Sequence, residues 1–266
     1  MQTETRNRER GNDKVSWGKA AEFESRIVRR RVNLVRQIDG FIDRNLTLVD
    51  LGCGNGASTF MLAGEMSRCV GIDMNPAYQK IFREQMDRNS VRNCEFVLLD
   101  LNKDSYQERF DRLISFEVIE HLRDERRVRV FHDLLKPDGL AAITVPNKWW
   151  IFETHGANLP LLPWNRVPLF SWLPRGIHER FARARIYTKK RIHDLLSTVG
   201  FDVIHMSYVT APMDVLKEGW LKSVLTKYVF QQDETPIPFL ATAIFVIAGK
   251  RNLERSNRSN CHSGSD

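Results

Sequence analysis

The chain reads Val49-Asp50-Leu51-Gly52-Cys53-Gly54-Asn55-Gly56 where a predicted strand turns into a predicted helix. The apolar run over residues 46–51 is typical of a buried parallel strand, and helical spacing follows over residues 57–66. Glycines lack a Cβ atom, so they allow a sharp turn here and let the backbone approach a ligand closely. The first turn of the helix also offers unpaired N–H groups and a positive dipole end. The corner therefore predicts a site for an anionic group of a nucleotide cofactor.

The glycines alone do not identify that cofactor. Gly52, Gly54 and Ala57 also satisfy the spacing of a dinucleotide fingerprint. Asp50 lies two residues before the first glycine, where its carboxylate would repel a pyrophosphate but suits an ammonium or sulfonium group. S-adenosylmethionine carries both of these groups, so Asp50 favours it over a nicotinamide dinucleotide.

Predicted strands alternate with predicted helices through the rest of the chain. This order predicts an α/β fold with a Rossmann-like, doubly wound and mostly parallel sheet that has helices on both faces. Ligands of such sheets bind beyond the carboxyl ends of the strands, at the point where the strand order reverses. The predicted strands cover residues 46–51, 69–74, 95–101, 111–116, 140–145, 201–209 and 241–248.

Further motifs follow the glycine-rich turn at workable loop lengths. They are Gly71-Ile72-Asp73, Leu99-Asp100-Leu101, Ser115-Phe116-Glu117-Val118-Ile119-Glu120-His121-Leu122, Leu134-Leu135-Lys136-Pro137-Asp138-Gly139 and Ala142-Ile143-Thr144-Val145-Pro146-Asn147. In this order they resemble the motifs of class I S-adenosylmethionine-dependent methyltransferases of type 11, and are similar to the ubiquinone-biosynthesis O-methyltransferase branch. The resemblance implies a seven-stranded sheet with an antiparallel last strand, and methyl transfer from S-adenosylmethionine.

The predicted cofactor residues lie at the ends of successive strands. Asp73 follows the glycine loop by roughly 20 residues, the separation at which an acid can accept both ribose hydroxyls. The resemblance implies that Asp100 binds the adenine amino group beside Leu101, although a capping or turn role stays open for Asp100. The full predicted cofactor set is Asp50, Gly52, Cys53, Gly54, Gly56, Asp73, Met74, Asp100, Leu101, Phe116 and Glu117.

Two histidines are candidate general bases. His121 follows Glu117 and Glu120 in a predicted helical turn, where such groups can equally bind one another and the backbone. His155 lies in the polar island Glu153-Thr154-His155-Gly156 and could accept a proton from a hydroxyl group. A structural role stays open for each histidine. No metal site is predicted.

Residues 148–185 break the alternation. Four of the six tryptophans, four prolines and five arginines are concentrated there, which predicts a substrate-cap insertion over the cofactor cleft. The predicted organisation is a disordered tail over residues 1–15, a methyltransferase domain over 16–250 and a disordered tail over 251–266. The domain contains the cap and a second insertion over residues 211–238.

Two helices are predicted outside the sheet region proper. The first covers residues 20–42 and carries five arginines that we expect mostly on a solvated face opposite its apolar side, namely Arg26, Arg29, Arg30, Arg31 and Arg36. The second lies within an amphipathic insertion over residues 213–230, whose larger apolar residues are expected to pack rather than to form a site; they are Trp220, Leu221, Val224, Leu225 and Tyr228.

The formal net charge of +7 indicates an acidic partner. Dispersed arginines predict only weak, salt-sensitive binding to nucleic acid, so no specific nucleic acid is expected. Aromatic residues flanked by arginines in the cap are typical of an anionic membrane surface. No apolar run spans a membrane, so we expect a cytoplasmic protein that associates with membranes. Cys53, Cys69, Cys94 and Cys261 are expected to be reduced.

The favoured function is methyl transfer to a small hydrophobic or amphipathic acceptor, with oxygen as the favoured nucleophile. The alternatives are an RNA- or protein-modifying methyltransferase, a Rossmann oxidoreductase, and a non-enzymatic scaffold that binds nucleic acid. Asp50 and the later motifs argue against the oxidoreductase. The intact loop, Asp73 and Asp100 favour a working cofactor site over the scaffold.

Overall fold

The computed structural model describes residues 25–152, 168–213, 216 and 219–251. Helices and strands alternate along this part of the chain, as the sequence predicts. In chain order they are α1 (Arg26–Arg36), β1 (Thr47–Leu51), α2 (Ala57–Ala63), β2 (Arg68–Asp73), α3 (Pro76–Arg88), β3 (Cys94–Leu98), β4 (Phe110–Phe116), α4 (Arg129–Asp133), β5 (Leu135–Pro146), α5 (Arg175–Phe181), α6 (Lys189–Thr198), β6 (Phe201–Thr210), α7 (Trp220–Tyr228), β7 (Glu234–Thr235) and β8 (Ala241–Lys250).

One sheet joins the strands in the order β3-β2-β1-β4-β5-β8-β6-β7. Strands β1 to β5 are parallel, and β8 is antiparallel to both β5 and β6, so β6 runs in the direction of β5. The chain winds outward from β1 to β3 and then returns to β4 beside β1. The carboxyl ends of β1 and β4 therefore form the switch point at which such sheets bind ligands.

The number of strands differs from the seven implied by the resemblance. An eighth strand, β7, consists of two residues that pair with Tyr208 and Val209 of β6. This strand lies within the second insertion. The sequence did not predict it, because two residues are too short to show the alternation of a strand. The mostly parallel sheet and the antiparallel last strand are confirmed.

The core is divided between the two faces of the sheet. Leu48 of β1 points to the face covered by α1, α2 and α3, and the next residue, Val49, points to the face covered by α4 and α6. This alternation follows from the two-residue period of a strand. On α1, Val28, Val32 and Val35 lie on one helical face and are buried against the sheet.

Several element ends differ from the predicted ones. The first helix, predicted to continue to residue 42, ends at Arg36 with Gln37 as its C-cap, and the chain then turns through Gly40, whose φ is +69°. Strand β5 begins five residues before its predicted start, because Leu135 already pairs with Phe110 of β4. In the part of the chain that the structure describes, no helix is long and apolar enough to cross a membrane.

Candidate active site

The loop after β1 forms a tight cradle that only glycine can line. Gly52, Gly54 and Gly56 have φ values of +71°, +53° and +86°, which side chains strongly disfavour. A Cβ atom on Gly52 would also lie 2.4 Å from a methyl carbon of Val118. One on Gly56 would lie 2.5 Å from the ring of Phe60. Glycine therefore serves two needs in this loop, a left-handed backbone and the close packing of Val118, Phe60 and Phe82 against it.

Asp50 is buried behind this loop, with 3% of its surface exposed. The Thr59 hydroxyl of α2 donates a hydrogen bond of 2.6 Å to its carboxylate. Burial raises the pKa of Asp50 to about 7, against the lowering effect of Thr59. Asp50 thus ties β1 to α2 and carries only part of a full negative charge near neutral pH. Its repulsion of a pyrophosphate is weaker than the sequence argument assumed, and its contact with the cofactor stays a prediction.

Asp73 at the end of β2 is brought directly beside the glycine loop. One carboxylate oxygen accepts the Gly54 N–H at 2.9 Å and the other accepts the Asn75 N–H at 2.8 Å. Burial raises the pKa of Asp73, while these backbone donors lower it. Each carboxylate oxygen can accept a second hydrogen bond. The structure thus brings together the loop and the acid predicted to bind the ribose hydroxyls.

The loop after β3 lies next to this pair, because Leu99 N–H donates a bond of 3.0 Å to the Asp73 carbonyl. Asp100 accepts the backbone and side-chain N–H groups of Asn102 at 2.9 and 3.0 Å. Partial burial raises the pKa of Asp100, but these bonds and Lys103 bring it below its usual value. Asp100 therefore has the turn role that the sequence left open. Its contact with adenine, like those of Leu101 and Met74, stays a prediction.

Glu117 follows β4 on the other side of the switch point. It adopts a left-handed φ of +61°, and its carboxylate accepts the Thr144 hydroxyl at 3.2 Å. Arg31 of α1 forms an ion pair of 3.0 Å with the same oxygen and lies 5.9 Å from the ring of Phe116. Two residues predicted to contact the cofactor, Phe116 and Glu117, are thus both held by Arg31.

Sequence reasoning missed the role of Arg30 and Arg31, which were expected on a solvated helix face. Both are buried. Arg30 donates to the carbonyls of Thr210 at 2.6 Å, Ala211 at 2.7 Å and Phe230. The spacing carried a signal for Arg31, which lies within the helical arc of the apolar residues at 27, 34 and 35, whereas Arg30 lies about 40° outside that arc. The cause of the error is that partners about 180 residues away cannot be read from local periodicity.

A cluster of ionisable groups continues from Glu117 into a short 3₁₀ turn, Ile119–His121. Glu120 is buried, and burial together with the nearby Glu117 raises its pKa well above the usual range. His121 Nε2 lies 4.0 Å from Glu120 Oε1. The structure places His121 in the turn that follows Phe116 and Glu117, two predicted cofactor residues, and its role as a base stays a prediction. The other predicted base, His155, lies outside the described residues.

The segments that follow β5 and β6 meet beyond the carboxyl ends of these two strands. Trp150, after β5, packs in one buried cluster with Ala211 and Met213, after β6, and with Phe230, after α7. The sequence predicted two separate insertions but not this contact. On the other side of the cap, Arg191 of α6 binds Glu125 at 2.7 Å and Glu179 of α5 at 2.8 Å, which fastens α5 to the domain.

Comparisons with known proteins agree with this geometry. A family model described as a methyltransferase domain matches residues 42–170. The ubiquinone biosynthesis O-methyltransferase of Ruegeria pomeroyi is 27% identical over 190 residues, which cover 64% of this chain and 69% of that protein. The enzyme of the same name from Pseudomonas paraeruginosa is 26% identical over 170 residues, covering 61% and 68%.

Solved structures share the fold. An S-adenosylmethionine-dependent methyltransferase from Mesorhizobium loti superposes with a TM-score of 0.59 at 17% identity, covering 86% of this chain and 100% of that one. Coclaurine N-methyltransferase bound to N-methylheliamine and SAH gives 0.56 at 16% identity, covering 84% and 70%.

A doubly wound sheet with a glycine cradle at its switch point and an acid on the next strand defines a Rossmann-like protein that binds a nucleotide cofactor. The family match and the relatives specify the class, and the resemblance predicted from the motifs is confirmed. The chain is an S-adenosylmethionine-dependent methyltransferase.

Proposed function

We propose that this enzyme transfers the methyl group to an oxygen of a small hydrophobic or amphipathic acceptor. The main support for an apolar acceptor is the buried cluster of Trp150, Ala211, Met213 and Phe230. Trp150 follows β5 and Ala211 follows β6. The cluster therefore lies at the carboxyl ends of the parallel strands, as does the cofactor loop. An apolar wall at that edge suits an apolar acceptor.

Polar groups in the same region suit an acceptor that carries oxygen. Within the described residues, no hydrogen-bond partner reaches the buried indole N–H of Trp150 or the hydroxyl groups of Thr210 and Thr242. A buried donor without a partner costs free energy, and an acceptor oxygen could satisfy one. The relatives named as ubiquinone biosynthesis O-methyltransferases support the same chemistry.

The residues present fit S-adenosylmethionine, because Asp73 lies beside the glycine loop and each of its carboxylate oxygens can accept a further hydrogen bond. When bound, the cofactor supplies a methyl group on a positive sulfur, already activated for transfer. Gly52, Gly54 and Gly56 would hold it with Asp73, while Arg31 keeps Glu117 oriented at the cleft. The protein contributes orientation and exclusion of water. His121, or the predicted His155, would take the proton of the acceptor hydroxyl.

Calorimetric titration tests the cofactor site. We expect S-adenosylmethionine and S-adenosylhomocysteine to bind and NAD not to bind. Asp73→Ala should weaken binding by about 1 to 3 kcal/mol, because it leaves hydrogen-bonding groups without a partner. Asp87→Ala, at a position 76% exposed on α3, is the matched control. Unchanged affinity in a folded Asp73→Ala protein would remove Asp73 from the site.

Methyl-labelled cofactor and fractionated cell extract test the acceptor. We expect the label in the lipid or small-metabolite fraction. Label confined to RNA or protein would instead establish the RNA- or protein-modifying alternative. With the acceptor in hand, turnover by His121→Ala and His155→Ala identifies the base, since the variant that lacks it should lose activity most strongly near neutral pH. Full turnover by both would reject a histidine base.

A further inference from the structure

Helix α7 presents an apolar stripe to solvent. Trp220 is 78% exposed, Tyr228 is 72% exposed, and Val224 between them is also exposed. The spacing of four residues places all three on one side of the helix. Leu225, about 100° round the helix from Val224, packs against the cluster of Trp150 and Phe230. The expectation that the apolar residues of this insertion pack is therefore confirmed for Leu225 and wrong for Trp220, Val224 and Tyr228, which lie in solvent.

The charge of this face has one sign. Helix α7 contains Lys222 and Lys227 and neither Asp nor Glu. Lys227 shares the exposed side, and its ammonium lies 5.4 Å from the centre of the Tyr228 ring. Trp and Tyr place an apolar ring and a polar tip at a boundary between water and hydrocarbon, and lysine extends its ammonium past them toward anionic headgroups. A helix built this way has the composition of one that lies in a membrane interface.

A second exposed aromatic group flanks the same buried cluster. Trp149 and Trp172 both contact Phe239, with ring centres 6.2 and 5.6 Å apart, and all three are exposed. Trp149 and Phe239 are sequence neighbours of Trp150 and Leu240, which belong to the cluster or pack on it. Large exposed apolar groups on both flanks of one cluster are unusual on a protein surface that faces only water.

We propose that α7 docks on an anionic lipid bilayer, with Trp220, Val224 and Tyr228 seated at the headgroup level. The inference deepens the proposed function, since the cluster beneath α7 is the proposed acceptor wall and an amphipathic acceptor would enter from the bilayer. Charge favours this occupant over a second copy of the chain, because an α7–α7 contact would bring two purely basic helices together. Residues 1–24 are the remaining candidate to cover the stripe.

Vesicle flotation of the full chain tests docking, with phosphatidylcholine alone and with phosphatidylcholine containing phosphatidylglycerol. Binding should require phosphatidylglycerol and fall with added salt. Trp220→Ser combined with Tyr228→Ser should lower the partition coefficient by roughly tenfold or more. Lys227→Gln should lower it by about fivefold, the effect of one cation at an anionic surface. The matched controls are Ile204→Ser, at a position 63% exposed on β6, and Lys80→Gln on α3.

Each of the following outcomes would overturn the inference that α7 docks on an anionic bilayer. Equal binding to neutral and anionic vesicles, or a double variant that binds as the parent does, removes α7 as the anionic-membrane contact. Absence of vesicle binding together with a dimer that the double variant dissociates assigns the stripe to a second copy. Vesicle binding that appears only after residues 1–24 are deleted would show that this segment covers the α7 stripe in the full chain. The proposed function fails separately: a chain that binds vesicles as expected but labels only RNA or protein keeps the docking and loses the acceptor.

Discussion

Replacement of Asp50 by asparagine should change how the stability of the protein depends on pH. The carboxyl group is buried, and its pKa is raised from 3.8 to about 7 chiefly by burial. In the unfolded chain the group would lose its proton near the ordinary value. Folding therefore favours the protonated form, and the stabilisation is fully present below about pH 4 and is lost as pH rises toward 7. Three pKa units correspond to about 4 kcal/mol.

The measurement is the free energy of unfolding in urea, followed by far-ultraviolet circular dichroism at a series of pH values without cofactor. The quantity to plot is the value for Asp50→Asn minus that for the parent, which cancels the other titrating groups. Asparagine keeps an oxygen that can accept the Thr59 hydroxyl but has no charge to bury. The difference should rise by about 4 kcal/mol between about pH 4 and pH 7 and then level off.

Asp111 supplies a comparison of opposite sign. Partial burial raises the pKa of Asp111, but the Thr47 hydroxyl and N–H and the Lys136 ammonium bring it to about 2. Its stabilisation is present above the ordinary value and is lost as pH falls, so the Asp111→Asn difference should change only below about pH 4. A flat Asp50→Asn difference from pH 4 to 8 would refute the buried, protonated state of Asp50.

Two further substitutions test the cradle and the attachment of α1. Gly52→Ala should destabilise the fold by about 1 to 3 kcal/mol and abolish cofactor binding, because the new methyl group meets Val118 at a left-handed φ. Gly64→Ala, where a Cβ meets no atom within 4 Å, should leave both unchanged in urea unfolding and calorimetry. Arg30→Lys should cost about 3 kcal/mol, since one ammonium cannot replace the guanidinium fork that binds three carbonyls, and Arg26→Lys on the exposed side should cost almost nothing. Equal stability of the two lysine variants would show that the buried fork contributes nothing.

The sequence by itself determined the centre of this protein. Apolar runs of strand length, the glycines at 52, 54 and 56, and the acid at 73 are local features, and local geometry decides what they form. A positive φ strongly favours glycine wherever the loop is placed. The alternation of strands and helices then restricts the sheet to the doubly wound order, because right-handed crossovers leave few other arrangements. The strand ends, the loop and the position of Asp73 beside it were therefore predictable, and their contact with the cofactor stays a prediction.

Only the tertiary structure decided which polar residues are buried and which apolar ones are exposed. Asp50, predicted to face the ligand, is enclosed beside Thr59. Arg30 and Arg31, predicted on a solvated face, bind carbonyls and a carboxylate from distant parts of the chain. Trp220 shows the reverse case, an aromatic residue that remains in solvent. Burial depends on what the rest of the chain brings against a residue, and a contact with a distant segment leaves no period in the local sequence.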